Sequence, residues 1–198
     1  MALVPGGGPF ADQVRSTQAR WGYGDAVAHA MALLAMRQYG LMLAGLRSEF
    51  ATAGNPESVA AALAAGRSAI WLPDPEAMDE REVPASWAIT SDSLAAWLAR
   101  KIGAEHLLLV KSASIPPGGL PASRLAAQGW VDPAFPGFVA CARYDAWLCR
   151  KEEHGRFREG LRDPSAVFTR IVPDAAQRPA CSEVIPDVDQ SPLFRQPA

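Results

Sequence analysis

Apolar residues change their spacing between Trp87 and Lys111, and the change predicts a helix followed by a strand. Leu94, Trp97, Leu98 and Ile102 fall at i, i+3, i+4 and i+8, one face of an amphipathic helix. Thr90, Ser91 and Asp92 precede it as capping residues, because their side-chain oxygens accept from the free N–H groups of a first turn. Gly103 ends the helix. Leu107 to Val110 is an unbroken apolar run, the pattern of a strand covered on both faces, and Lys111 follows it. Helix then buried strand is half of a βαβ unit, whose ligands collect beyond the carboxyl ends of the strands. The pattern thus puts Lys111 and Asp92 near a site.

The rest of the chain alternates in the same way. Leu3 and Val4 read as the end of a buried strand, and a helix opens near Pro9 and runs from Phe10 to Arg20 with Phe10 and Val14 inward. Gly22 and Gly24 break it, and Asp25 caps a longer helix to Leu46. There Val27, Met31, Leu34, Gln38 and Leu41 keep helical spacing, and Met36, Tyr39 and Met42 widen the apolar surface. A helix apolar on more than one side is buried or packs on a partner, and the methionines read as core. Ser58 to Ala65 is helical and Ser68 to Leu72 is a strand. Residues 74–84 are acidic and read as an exposed loop or one helical turn, a solvated face in preference to a Mg²⁺ site. After Lys111 come a loop, a short helix at Arg124–Gln128, a helix at Phe135–Cys141 and a strand at Ala146–Cys149. A charged helix over 151–162 and a last strand at Val167–Val172 follow. From Pro173 on, five prolines fall in 26 residues, which predicts an irregular tail. One α/β domain over 1–172 and a proline-rich tail over 173–198 is the expected organisation.

Composition narrows the function classes. The chain is 49% hydrophobic and 20% charged with a net charge of −2 and no basic stripe, which argues against nucleic acid or an anionic membrane as partner. No apolar run approaches the roughly 18 residues of a membrane span, and no secretory signal is recognisable, so a cytoplasmic protein is expected. Cys141, Cys149 and Cys181 lack CxxC spacing and read as thiols in a reducing compartment. His29, His106 and His154 are scattered, and no metal ligand set is expected; His29 reads as a structural histidine. Gly6, Gly7 and Gly8, between a strand and a helix N-terminus, make an anion site, because loop N–H groups point outward and the helix dipole favours negative charge. The same three glycines also suit a plain tight turn. No Gly-Lys-Ser/Thr follows, so this is not a Walker loop.

Three stretches in this order resemble the amino acid kinase family: Val4-Pro-Gly-Gly-Gly-Pro-Phe-Ala-Asp12, Pro84-Ala-Ser-Trp-Ala-Ile-Thr-Ser-Asp-Ser-Leu-Ala-Ala-Trp-Leu-Ala99 and Gly103-Ala-Glu-His-Leu-Leu-Leu-Val-Lys111. The branch they resemble is the short one of the archaeal kinase of aminomethylfuran-methyl phosphate, a methanofuran precursor. The resemblance spans about residues 3 to 172. It implies a three-layer α/β/α sandwich with a mostly parallel sheet. It also implies transfer of the terminal phosphoryl of ATP, with Mg²⁺, onto a carboxylate, carbamate or phosphate, and a possible homo-oligomer. By the same resemblance Gly6, Gly7 and Gly8 cradle the acceptor and the phosphoryl in flight, with Thr90 and Ser91 on the phosphate-binding side. Asp92 organises the catalytic region, and Lys111 to Ile115 lies beside the nucleotide.

The chain departs from the family in three places. The opening strand with Lys-x-Gly-Gly-Ser, which supplies a catalytic lysine, has no match. Lys111-Ser-Ala-Ser-Ile115 replaces Thr-Asp-Val-Asp-Gly, and no later Gly-Gly-Met…Lys is found. The sheet is therefore expected to lack its first strand and to carry an exposed edge. A native protein that begins upstream of Met1 is the favoured explanation; a degenerate member that binds without catalysis is the other. Three readings follow: a small-molecule kinase of one-carbon carrier biosynthesis, a non-catalytic nucleotide- or oxyanion-binding homologue, or a plain α/β domain with no active site.

Overall fold

The computed structural model describes residues 1–116 and 118–174. In chain order it contains β1 (Ala2–Leu3), α1 (Gly8–Trp21), α2 (Asp25–Leu46), β2 (Ala51–Ala53), α3 (Pro56–Ala64), β3 (Ala69–Trp71) and α4 (Ser91–Lys101). Then follow β4 (His106–Val110), β5 (Leu120–Pro121), α5 (Ala122–Ala127), α6 (Phe135–Val139), β6 (Asp145–Cys149), α7 (Phe157–Gly160), α8 (Pro164–Val167) and β7 (Thr169–Val172). This is an α/β fold with mostly parallel pairing, as the sequence predicts.

The strands form two sheets. β1, β3 and β2 lie side by side in that order, all parallel, with Leu3 opposite Ile70 and Thr52 opposite Ile70 on the other side. The second sheet has the order β4-β6-β7-β5 and is parallel except between β6 and β7. β1 and β2 are the edge strands of the first sheet, β4 and β5 those of the second. Helix α4 serves both sheets. Leu94, Trp97 and Leu98 pack in the cluster of Ala69 and Trp71, and Ala95, Ala96 and Ala99 pack in that of Leu107, Leu109 and Leu148. Val4, just after β1, touches both clusters.

Burial on two sides changes the reading of α4. All residues from Asp92 to Ala99 are buried, so the helix has no solvent face over two turns, and alanines supply the side that the spacing of large residues leaves blank. Its cap also differs from expectation. Thr90 is the N-cap residue but makes no side-chain cap bond; the carboxylate of Asp132, 42 residues on, accepts from the Thr90 backbone N–H instead.

Other expectations are corrected in detail. β4 is not covered on both faces: Leu107 and Leu109 are buried, but Val110 is 64% exposed because β4 ends its sheet. In α1, Val14 is inward while Phe10 lies 38% exposed against the edge of the Tyr39 ring. In α2 the contact face is Ala28, Leu33, Ala35, Met36 and Gly40, and the stripe Val27, Leu34 and Leu41 faces outward. Asp25 opens α2 without capping it and takes a hydrogen bond from Gln18 Nε2 at 2.7 Å. The acidic stretch holds one 3-10 turn at Pro75–Ala77, and Glu82 accepts from Lys101 Nζ and Trp97 Nε1. The charged segment 151–162 is a 3-10 turn at Lys151–Arg156 followed by the short α7, not one helix. Short β2 and β5 have no periodicity to announce them. At the start of the predicted tail, Asp174 accepts from the Ser123 N–H and hydroxyl, while residues 175–198, including Cys181, lie outside the described residues.

Candidate active site

The glycine loop is shaped by two close approaches. A Cβ on Gly7 would stand 2.4 Å from Ala11 Cβ, a rigid atom of the next helical turn. Gly8 has φ +50, in the region that favours glycine, and a Cβ there would meet the Tyr39 ring at 2.6 Å. These two positions let the chain turn tightly from β1 into α1, whose N-cap, Gly7, makes no side-chain cap bond. Gly6 faces Ser91, whose Oγ lies 3.6 Å from where a Gly6 Cβ would be.

The loop roofs a cleft of about 260 Å³. Gly6, Gly7, Gly8, Thr90 and Ser91 line it, so five of the sequence-predicted site residues meet there. Its apolar wall includes Leu33, Met36, Ile89 and Leu94, and its charged and polar side chains include Asp12, Arg15 and His29. The Arg15 guanidinium lies 4.5 Å over the Trp87 ring and 3.2 Å from Asp12 Oδ1. His29 Nε2 is enclosed and has no hydrogen-bond partner among the described residues. Burial holds the imidazole below its ordinary value, against the opposing pull of the Ser86 backbone.

The other two predicted residues meet each other. Lys111 Nζ donates to Oδ1 and Oδ2 of Asp92, both at 2.6 Å, and the Asp132 N–H donates to Asp92 Oδ2 at 3.2 Å. β4 delivers Lys111 from its carboxyl end and the first turn of α4 delivers Asp92. Burial pushes the Asp92 carboxyl above its ordinary value; Lys111 pulls it down, and the nearby Asp132 charge pushes it up again. Neither Asp92 nor Lys111 lines the cleft.

Asp132 is the residue that sequence reasoning missed. It is 7% exposed and accepts from the N–H groups of Thr90, Ser93 and Phe135, at 2.9, 3.0 and 2.9 Å, and from the hydroxyls of Thr90 and Ser93. It thereby fixes the Thr90–Ser91 wall of the cleft and, through its own N–H, the Asp92 carboxylate. An aspartate before Pro133 is the available signal, and it accounts for the Phe135 N–H three residues on, but the Thr90 and Ser93 partners lie about 40 residues away. Local spacing does not mark Arg15 and Trp87 as cleft residues either, and it reads His29 as structural, yet all three line the cleft.

Among the described residues no group of three or more His, Cys, Asp or Glu side chains is placed to hold a metal ion. No described helix is long and apolar enough to cross a membrane.

The fold defines a class, the α/β folds of mostly parallel sheets, and in it a glycine loop stands opposite the first turn of a buried helix. The particular likenesses are to UMP kinases. UMP kinase from Ureaplasma parvum aligns with a TM-score of 0.65 over 86% of this chain and 80% of that one, at 12% identity. Uridylate kinase from Archaeoglobus fulgidus gives 0.61 over 86% and 84%, at 15% identity. UMP kinase from Bacillus anthracis gives 0.60 over 81% and 75%, also at 15%. No protein-family model and no curated protein sequence matches the chain. At these identities the likeness is one of fold. It agrees with the amino acid kinase fold that the sequence motifs imply and does not single out a branch.

Proposed function

We infer that this chain belongs to an ATP-dependent phosphotransferase that moves a phosphoryl group onto a small anionic acceptor. The observation that carries the reading is the cleft: a tight glycine loop and the Ser91 hydroxyl face each other across a space of small-molecule size. Such a transfer needs little covalent help from protein. It needs donors for the charge on the phosphoryl and fixed positions for both reactants. An acceptor oxygen forms a bond to the γ-phosphorus of ATP, and the bond from that phosphorus to the bridging oxygen breaks and leaves with ADP. In this reading Gly6, Gly7 and Gly8 offer backbone N–H groups to the acceptor, Ser91 offers its hydroxyl from the opposite wall, and Thr90, whose hydroxyl donates to Asp132, shapes that wall. Lys111, oriented by Asp92, brings positive charge to the nucleotide side. ATP is a substrate, and Mg²⁺ arrives with its phosphates.

The motif resemblance supports a narrower form: a phosphate monoester converted to a diphosphate during synthesis of a methanofuran-type one-carbon carrier, in the cytoplasm. The outward apolar stripe of α2 supports a homo-oligomer. The test is ADP release from MgATP with UMP and with small aryl phosphates as acceptors. ADP formed only in the presence of an acceptor supports transfer. No ADP, with ATP still bound in a calorimetric titration, turns the reading to a non-catalytic nucleotide-binding homologue. That second reading is favoured by Lys111 being paired by Asp92.

A further inference from the structure

We propose that Arg150 is a positioning residue for the nucleotide: it holds in place the segment that carries Lys111, at the carboxyl end of β4. The proposal rests on the nucleotide side of the reading above and concerns neither the glycine loop nor the acceptor. In a parallel sheet ligands collect beyond the carboxyl ends of the strands. β4 and β6 are parallel neighbours that end together, with Val110 opposite Cys149. Lys111 and Arg150 are the first residues past the two strands. The pleat puts both on one face: Leu107, Leu109, Ala146 and Leu148 pack with the alanines of α4, and Lys111 and Arg150 take the next alternate positions. Two cations side by side repel unless each has its own acid. Lys111 has Asp92; Arg150 has Glu153, whose side chain is only 7% exposed.

The two acids do different work. Asp92 orients an ammonium. Glu153 fixes a guanidinium so that it can hold backbone: its Oε1 accepts from Arg150 Nε at 2.8 Å and from Nη2 at 2.5 Å, and its Oε2 accepts from the Arg150 N–H at 2.8 Å. With Nε and Nη2 spent on one carboxylate, Arg150 turns Nη1 to the Ile115 carbonyl at 3.2 Å. That bond matters because β4 is an edge strand with β6 as its one neighbour in the sheet. Just past the strands the Lys111 N–H still donates to the Cys149 carbonyl, at 3.0 Å. From there the chain keeps the alternation of β4, with Ala113 and Ile115 packed inward and Ser112 and Ser114 exposed. Side chains then take over from the ladder: Arg150 holds the Ile115 carbonyl, and Ser114 Oγ donates to Glu152 Oε1 at 2.9 Å. Both ties come from the turn that follows β6. A segment fixed by β4 at one end and by Arg150 at the other presents Lys111 without first having to be ordered, and that saving appears as affinity.

The test is titration calorimetry with MgATP on the full chain, with phenyl phosphate titrated separately as a probe of the cleft. Arg150→Lys separates the two jobs of the residue: an ammonium still pairs with Glu153 but has no planar fork to reach the Ile115 carbonyl as well. This variant is expected to bind MgATP at least about tenfold more weakly, the scale of one lost hydrogen bond from a charged donor. Its affinity for phenyl phosphate and its thermal midpoint should stay native, and faster deuterium exchange should be confined to residues 112–115. Arg150→Gln would leave Glu153 buried without its cation, so the double variant Arg150→Gln/Glu153→Gln, which orphans no charge, is the second handle. It should lose MgATP at least as strongly as Arg150→Lys. In turnover both proteins should show a raised KM for ATP and an unchanged acceptor KM. MgATP bound at native strength by both variants overturns the proposal and spares the kinase reading. An equal loss on MgATP and phenyl phosphate also overturns it, because the variants have then loosened the whole fold. A native protein that binds no MgATP at millimolar concentration defeats the nucleotide reading itself, and the role of Arg150 with it.

Discussion

Lys111 reaches both carboxylate oxygens of Asp92 at 2.6 Å, across 19 residues of chain, with side chains only 20% and 12% exposed. The pair ties the end of β4 to the first turn of α4. Breaking one partner of such a pair leaves a charge with little water to solvate it. Lys111→Met is expected to destabilise the fold by about 2–4 kcal/mol in urea denaturation. The double variant Asp92→Asn/Lys111→Met should recover about half of that. Additive losses in the two single variants would mean that the pair carries no coupling.

Asp132 holds the same helix from the other side. Asp132→Ala leaves the buried N–H groups of Thr90, Ser93 and Phe135 without their acceptor. A loss of about 3 kcal/mol is expected, since one unmatched buried group costs about 1–3 kcal/mol. Asp132→Asn keeps one carbonyl oxygen and should cost about half as much. The melting temperatures of the two variants, compared with native, check the order.

The glycine loop has a sharp steric test. Gly7→Ala places a methyl 2.4 Å from Ala11 Cβ, and neither atom belongs to a flexible side chain. The first turn of α1 must shift, at about 1–3 kcal/mol. Affinity for anions in the cleft should fall with stability. A Gly7→Ala protein with native binding of phenyl phosphate would separate the loop from the site.

His29 gives the fold a dependence on acidity of known sign. Burial holds its folded pKa below the ordinary value of about 6.5. As pH falls, the unfolded chain takes up the proton first. The stability contributed by the neutral imidazole is whole above about pH 6.5 and is lost as pH falls through the folded value. The urea midpoint should therefore drop between pH 7 and pH 5, and His29→Leu should flatten that part of the profile. An unchanged slope in His29→Leu would assign the acid sensitivity to another group.

What could be read in the sequence was what local spacing encodes. The stop at Gly103, the apolar positions Leu94, Trp97 and Leu98, and the turn at Gly6–Gly8 all depend on neighbours within one or two turns. The missed features depend on distance. Asp132 also caps a helix 40 residues earlier, and nothing near Val131 or Pro133 points to that distant partner. Helix α2 is apolar on most sides, so periodicity alone cannot rank its faces. The face that wins is the one with small residues, Ala28, Ala35 and Gly40, because small side chains permit a closer approach. Val110 continues the apolar run of β4, yet its exposure is set by which strand ends the sheet. Strands of two or three residues, such as β2 and β5, are too short for any period to show.

One helix beneath two sheets also sets how the molecule breathes. Either sheet can separate locally while α4 stays packed on the other, so no partial opening frees the helix on both sides. The amides of Ala95 to Ala99 should then exchange with deuterium only through the global unfolding reaction, whereas those of β2 and β5 exchange through smaller openings. In that sense α4 is the last cooperative unit to yield, and the chemistry proposed at its first turn sits on the slowest-moving part of the protein.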